Sequence, residues 1–246
     1  MTELAYMVRE DWGQHGTAMG PQSTVIREWI GEPPYLFAVT DVKKFIHDDR
    51  GADVEAAEYI APDAASRRIF NISELPKLKR EDRAIDQAIV VLHPYERREL
   101  ETIRQAAEAD SLTRLFVLIW SPRDIVRTWL DALGALNLHT AESVTSPDHL
   151  MVAACEMMTH EEYNGLSSGH GKDAVVQIVR AFAAEGYQVD VDVWLRAYFA
   201  AGGTFRHAES VEKLLKEMKA GTKHRVSPRY RDNIFEIIKE RVSSGE

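Results

Sequence analysis

A glycine-rich segment, Asn164–Asp173 (NGLSSGHGKD), carries residue types close to those of a phosphate-binding loop. It leads directly into a predicted amphipathic helix. A helix N-terminus presents backbone N–H groups without acceptors and the positive end of the helix dipole, and both favour anions. The sequence therefore predicts a phosphate site at Ser168, Gly169, Gly171 and Lys172, with His170 as the general acid or base if the ligand reacts.

The same segment departs from the P-loop motif of nucleotide-binding proteins. Asp173 stands where that motif has a serine or threonine for magnesium, and the residue five positions before Gly171 is Leu166 rather than glycine. No apolar strand precedes the segment. The alternative interpretation is a flexible linker followed by a helix, with Asp173 in the first turn because of the helix dipole.

A basic segment, Thr222–Arg231 (TKHRVSPRYR), connects the last two predicted helices. From Lys219 to Arg231 the chain has five lysines or arginines, and it has no acidic residue. Arginine can bind phosphate through two parallel hydrogen bonds, and Tyr230 can stack on a nucleic-acid base. We therefore expect basic side chains to complete the phosphate site: Lys223, Arg225, Arg229 and Arg231. Alternatively, they only offset the acidity of the remaining chain.

The distribution of charge limits the class of partner. The formal net charge is −9, which argues against a protein that coats nucleic acid or an anionic membrane with its whole surface. Residues 203–246 carry +3, so the remaining residues carry −12. Any binding of nucleic acid is therefore expected at the C-terminal basic segment.

A second candidate site lies where two predicted strands end. The apolar runs Ala88–Leu92 and Leu115–Trp120 are each followed by a helical pattern, and the second run is apolar throughout, as in a parallel sheet covered on both faces. The carboxyl ends of parallel strands meet at one edge, where ligands bind. We expect catalytic groups there from His93, Ser121 and Asp124, joined by Asp41 and Arg123.

These strand-edge residues also have an alternative interpretation. Ser121 can cap a helix that starts at Pro122, and Asp124 can complete a capping box. A histidine at a strand end is often only hydrogen-bonded. Because neither strand-to-helix turn contains glycine, a Rossmann-type dinucleotide site is disfavoured.

The order of the patterns predicts an α/β fold with a partly parallel sheet and a βαβα unit at about residues 35–135, followed by an all-helical C-terminal region. We expect an α/β core domain at residues 1–140 and a helical domain at 141–246. Tyr35–Thr40 is a further predicted strand. The acidic stretch His47–Glu58 predicts an exposed loop or an irregular helix.

Several classes of site are not expected. Cys155 is the single cysteine, so the chain forms no internal disulfide or cysteine-based metal site. The histidines and acids between His139 and Glu162 lack the helical His-to-His spacing of zinc motifs, and we expect neither metal nor cofactor. No apolar run is long enough to span a membrane, and the charged N-terminus resembles no secretory signal, which favours a cytoplasmic protein.

Three functional hypotheses remain open. The first is a protein that binds, or acts on, a phosphate-bearing ligand, a nucleotide or nucleic acid at the glycine-rich and basic segments. The second is a non-catalytic interaction module whose acidic and basic surfaces dock partners, including a second copy of the chain. The third is a small-molecule enzyme that uses the strand-edge residues.

Overall fold

The computed structural model describes residues 2–9, 19–48, 51–78, 87–109 and 112–245. The chain divides into two compact units, unit 1 at Met1–Val144 and unit 2 at Thr145–Glu246. Each unit has its own architecture. Among the described residues, every helix is too short or too polar to cross a lipid bilayer.

Unit 1 is built on a seven-stranded, mostly parallel sheet in the described part of the chain. Its strands are β1 (Glu3–Val8), β2 (Tyr35–Val39), β3 (Arg67–Asn71), β4 (Ile89–Leu92), β5 (Arg114–Ile119), β6 (Leu136–Asn137) and β7 (Glu142–Ser143). The strand order is β3-β2-β4-β5-β1-β6-β7, and only β7 is antiparallel to its neighbour. The predicted α/β fold with a mostly parallel sheet is therefore confirmed.

The helices of unit 1 connect these strands. They are α1 (Met19–Ile30), α2 (Val42–His47), α3 (Ala52–Ile60), α4 (Leu75–Leu78), α5 (Arg97–Glu108) and α6 (Ile125–Ala132). Strand side chains alternate between the two faces of the sheet. Phe37, Val90 and Phe116 form one buried cluster with Ile26 of α1 and Ala57 of α3. The central strands are covered on both faces, which explains their continuous apolar sequence.

Two parts of unit 1 differ from the sequence prediction. Strand β1 was not predicted, yet it lies between β5 and β6 in the sheet. The stretch His47–Glu58, predicted as an exposed loop or irregular helix, contains most of α3, whose Ala56 and Ala57 are fully buried. Because its alanines are small and acidic residues lie between them, this segment has no strong apolar periodicity. The sequence therefore gives no clear indication of the buried helix face.

Unit 2 is helical in the described residues, as predicted. Its helices are α7 (His149–Thr159), α8 (Gly169–Ala184), α9 (Val191–Ala200), α10 (Phe205–Lys219) and α11 (Ile234–Ser244), and a 3₁₀ turn at Glu162–Asn164 precedes α8. Phe182 of α8 packs edge-on against Trp194 of α9 and Phe235 of α11. This aromatic cluster fixes α8 between its neighbours.

Gly171, in the first turn of α8, is required for packing. It is buried, and a Cβ atom at this position would lie 2.1 Å from the carbonyl oxygen of Gly165. The chain before the helix therefore passes directly over the Cα of Gly171. The sequence predicts that an anion binds at Gly171. In the structure, the missing side chain of Gly171 instead lets the backbone of Gly165 pack against the first turn of α8.

Gly171→Ala should destabilise unit 2, because backbone atoms have to move to admit the methyl group. We expect a loss of about 2 kcal/mol in the free energy of unfolding, measured by urea denaturation. The neighbouring His170 is exposed, so His170→Ala is the matched control and should change stability by less than about 0.5 kcal/mol. Equal stabilities of the two variants would contradict the packing role of Gly171.

Candidate functional site

The strand order of unit 1 creates a crevice between β2 and β4. From β2 the chain continues outward to β3, whereas from β4 it continues in the opposite direction to β5. Connections that leave two adjacent parallel strands in opposite directions open a gap at the strands' carboxyl ends, and α/β proteins bind ligands there. The structure has a cleft of ≈ 720 Å³ at this place.

We call this feature the switch-point cleft. Its walls come from the turns after β2, β3, β4 and β5 and from the first turns of α2, α3 and α5. The lining residues are Thr40, Asp41, Lys44, Phe45, Asp48, Gly51, Ala52, Asp53, Val54, Ser73, His93, Tyr95, Glu96, Arg98, Glu99, Thr102 and Trp120. Its volume lies within the range of small-molecule sites.

A buried histidine paired with a half-buried carboxylate forms one wall of the cleft. Nδ1 of His93 lies 2.6 Å from Oδ1 of Asp53, in the first turn of α3. Because an ionised carboxylate only accepts hydrogen bonds, the proton of neutral His93 is on Nδ1 and the lone pair is on Nε2. Nε2 is buried and has no hydrogen-bond partner among the described residues. The arrangement resembles the orientation of a general base by a carboxylate.

The backbone of His93 is held in an uncommon conformation. Its φ angle is +45°, in the left-handed region that residues with a Cβ rarely adopt. The backbone N–H of His93 donates to the carbonyl of Leu118 at 2.8 Å, which continues the β4–β5 pairing up to this residue. Strain of this kind costs on the order of 1–3 kcal/mol and is concentrated at functional sites.

Trp120 and Arg9 complete the surroundings of His93. The Trp120 ring stacks on the imidazole with 3.9 Å between ring centroids. The Arg9 guanidinium lies 5.7 Å from the Trp120 ring, donates to the carbonyl of Ala52 and pairs with Glu55. These contacts connect the ends of β1 and β5 to α3, so three elements fix the position of the imidazole.

The pKa values of two groups in the cleft are shifted in opposite directions. Burial lowers the pKa of His93 below its ordinary value, and the hydrogen bond that His93 donates to Asp53 only partly opposes this effect. Burial also raises the pKa of Glu99, whose carboxylate accepts a hydrogen bond from the Thr40 hydroxyl at 3.2 Å. Burial therefore favours the neutral form of both side chains, the unprotonated imidazole of His93 and the protonated carboxyl of Glu99.

The other strand-edge residues are placed differently from expectation. Ser121 was expected to cap a helix starting at Pro122, but α6 starts at Ile125 and its N-cap residue is Asp124. The Asp124 carboxylate accepts from the backbone N–H of Ser121, and the Ser121 hydroxyl accepts from that of Arg123. Both side chains thus stabilise a local turn outside the cleft lining. The charge of Asp124 nevertheless reaches His93 and opposes the lowering of its pKa.

In unit 2 the structure brings the two predicted phosphate-binding segments together. The basic segment runs along α8, where the Gln177 amide oxygen accepts from the backbone N–H groups of Arg229 and Tyr230 and Asp173 accepts from that of Ser227. Arg180 donates to the carbonyl of His224. These contacts fix the segment beside the glycine-rich helix start.

The most favourable cation of this site already has a carboxylate partner. Arg229 donates two hydrogen bonds to Oε1 of Glu161, at 2.6 and 3.1 Å. Arg229 is therefore the main cause of the lowered pKa of Glu161, and the charge of His170 contributes further. Lys223, Arg225 and Arg231 are exposed, as are Ser168 and Gly169, while Lys172 is half-buried and Gly171 packs under Gly165. Only part of the predicted set is brought together: Arg229 lies beside the start of α8, whereas His224, between Lys223 and Arg225, contacts Arg180 about three turns further along the helix. An anion at the helix start has to compete with Glu161 for Arg229.

Several residues of the cleft were missed by sequence reasoning. Asp53 accepts the hydrogen bond from His93, Glu99 has a raised pKa, and Trp120 stacks on the imidazole. Trp120 was counted only as the last apolar residue of a strand. Among the described residues, no three His, Cys, Asp or Glu side chains are arranged to hold a metal ion.

The shifted pKa of His93 predicts a dependence of stability on pH. The unfolded chain binds a proton at His93 near pH 6.5, whereas the folded chain resists it, so stability is complete above this pH and decreases as the pH falls towards the lower folded pKa. His93→Gln should remove this decrease, and His47→Gln, at an exposed position outside the cleft, should retain it. Thermal unfolding at several pH values measures the effect. Parallel pH profiles for wild type and His93→Gln would contradict it.

No protein-family model matches this chain, and neither does any curated protein or solved structure.

Proposed function

We propose that unit 1 is an enzyme domain that binds a small polar molecule in the switch-point cleft, with His93 as the proton acceptor. The observation that carries the proposal is the buried imidazole of His93, which is held by Asp53 and whose Nε2 lone pair has no partner among the described residues. A buried acceptor without a partner costs roughly 1–3 kcal/mol. A strained backbone at the same residue adds to this cost. Costs of both kinds are typical of residues kept for chemistry rather than for stability.

The proposed roles follow from the surroundings of each group. Asp53 holds the imidazole in one tautomer and stabilises the imidazolium formed when Nε2 accepts a proton. Glu99 lies in the wall of the same cleft and, because burial raises its pKa, can return a proton to the ligand. The reaction class that fits these roles is removal of a proton from an O–H or N–H group of the ligand, or from a water molecule that attacks it.

The proposal is tested by ligand screening against variants of the cleft. A library of small polar metabolites is screened by the shift of melting temperature for wild type, His93→Gln and the control His47→Gln. We expect ligands that stabilise wild type and the control equally but stabilise His93→Gln less, since Nε2 no longer contacts them. A screen in which every ligand stabilises all three proteins equally would overturn the proposal.

A second candidate function, binding of a phosphate-bearing ligand by unit 2, is favoured by one observation. Arg229 and His170 both lower the pKa of Glu161, which lies beside the start of α8. Arg229 of the basic segment is therefore close to the helix N-terminus. Glu161 neutralises Arg229 in the unliganded protein. A phosphate that displaced this carboxylate would gain the two hydrogen bonds that Arg229 now donates to Glu161.

Glu161→Gln should increase the affinity of unit 2 for inorganic pyrophosphate several-fold, because it weakens the competing ion pair. The matched control is Glu156→Gln, which removes a carboxylate 3.4 Å from Arg241 elsewhere in the unit. Calorimetric titration at low and high salt measures the affinity, which should fall as salt rises. Absence of binding by wild type and by Glu161→Gln, also with short single-stranded DNA, would exclude this function.

A further inference from the structure

We infer that the switch-point cleft selects a small organic cation, a ligand carrying an ammonium or guanidinium group. The inference rests on the proposed function of the cleft as a small-molecule site and adds the chemical class of the ligand. It is drawn from the charges of the lining, from the position of one carboxylate, and from the hydrogen-bonding state of His93.

The lining carries more negative than positive side chains. Two cations, Lys44 and Arg98, face five acidic side chains, Asp41, Asp48, Asp53, Glu96 and Glu99, and Glu99, the proposed proton donor, adds no negative charge while it holds its proton. Neither cation forms a side-chain ion pair with a described residue, whereas Arg67, Arg104 and Arg114 of the same unit do, so the positive charge of both has to be outweighed by the acidic side chains. Charges in a concave, partly desolvated site act more strongly than charges on an open surface. A cationic ligand therefore meets a favourable field there.

Most of these carboxylates also have a structural reason to be in the lining. Asp41 caps α2 by accepting hydrogen bonds from the backbone N–H groups of Lys43 and Lys44. Asp53, Glu96 and Glu99 lie at the starts of α3 and α5, where helix dipoles offset roughly half a charge per helix. Positions at helix starts thus account for four of the five acidic side chains. Because the helix dipoles offset part of their charge, the excess of negative charge in the lining is smaller than the formal count.

Asp48 differs from the other four because its side chain caps no helix, although its Oδ2 lies close to Gly51, the N-cap residue of α3. It is the C-cap residue of α2, at the negative end of that helix, where a carboxylate is unfavourable. Its side chain has no hydrogen bond or ion pair with any described residue. A cation bound in the cleft beside Asp48 is attracted by this carboxylate, and an anion is repelled by it.

The free acceptor on His93 agrees with the same class of ligand. Nε2 offers a lone pair, and the imidazole side chain is only 2 % exposed. Ammonium and guanidinium groups carry several N–H donors and no acceptor, so one group can donate to Nε2 and to carboxylates of the lining at once. A carboxylate or phosphate ligand has no hydrogen to donate to Nε2 when ionised.

The experiment compares three four-carbon probes that differ in charge. They are 1,4-diaminobutane, 1,4-butanediol and succinate, each titrated against the full chain up to millimolar concentrations. Binding is followed through the His93 ring resonances, assigned by comparison with His93→Gln, and by calorimetry. We expect saturable shifts with the diamine that weaken at high salt, and no shifts with the diol or succinate.

Two variants locate the diamine. Asp48→Asn should raise its dissociation constant several-fold, because it removes a carboxylate of the lining whose side chain has no ion-pair partner among the described residues. The matched control is Asp63→Asn, which removes one charge from an exposed 3₁₀ turn outside the cleft and leaves a side chain that still caps the turn. This control should bind the diamine as wild type does.

The outcomes separate the inference from the function on which it rests. Binding of succinate in preference to the diamine, with shifts of the His93 resonances, would overturn the cation class and support a small-molecule site. Equal diamine affinities for Asp48→Asn and Asp63→Asn would also overturn it. If none of the three probes shifts the His93 resonances, the cation inference fails. The proposed function fails only if the library screen gives no ligand whose binding depends on His93.

Discussion

The hydrogen bond between Nδ1 of His93 and Asp53 is the contact on which the candidate site depends. It joins the end of β4 to the start of α3, selects the tautomer of the imidazole and leaves Nε2 as the free acceptor. Trp120 on one side and the strand pairing to Leu118 behind keep the ring from rotating away. A proton acceptor is effective only in a fixed geometry, and here three packed elements supply it.

The fold could be predicted from the sequence in those segments whose apolar residues follow one clear pattern. β4 and β5 are apolar at nearly every position, and α8 shows a clear helical stripe, so both patterns indicate their structures. β1 is as long as β5, but its apolar run Leu4–Val8 stands between charged residues and is followed by a glycine-bearing polar stretch, so it was not recognised as a strand. Strand order depends on contacts between residues more than a hundred positions apart, such as Glu3 with Arg114, and no local pattern encodes it.

The candidate site was predictable only in part, for a similar reason. His93 could be identified because it directly follows an apolar strand and precedes a proline. Asp53, 40 positions earlier, lies in an acidic stretch where any of several carboxylates could serve equally well. In unit 2 the basic segment was recognisable by its composition, but its partner Glu161 was not. The packing of the helices decides which carboxylate contacts a given cation, and the spacing of the residues along the sequence does not.

The central position of β1 has a consequence for how unit 1 forms during synthesis. Its neighbours β5 and β6 are translated more than a hundred residues later, so this strand leaves the ribosome long before it can pair. Until then β2, β3 and β4 can pair among themselves, but the end of the cleft near Trp120 stays incomplete. Pairings of such long range slow folding and leave apolar strands exposed. Newly made chains are therefore expected to need protection from aggregation until β5 has emerged.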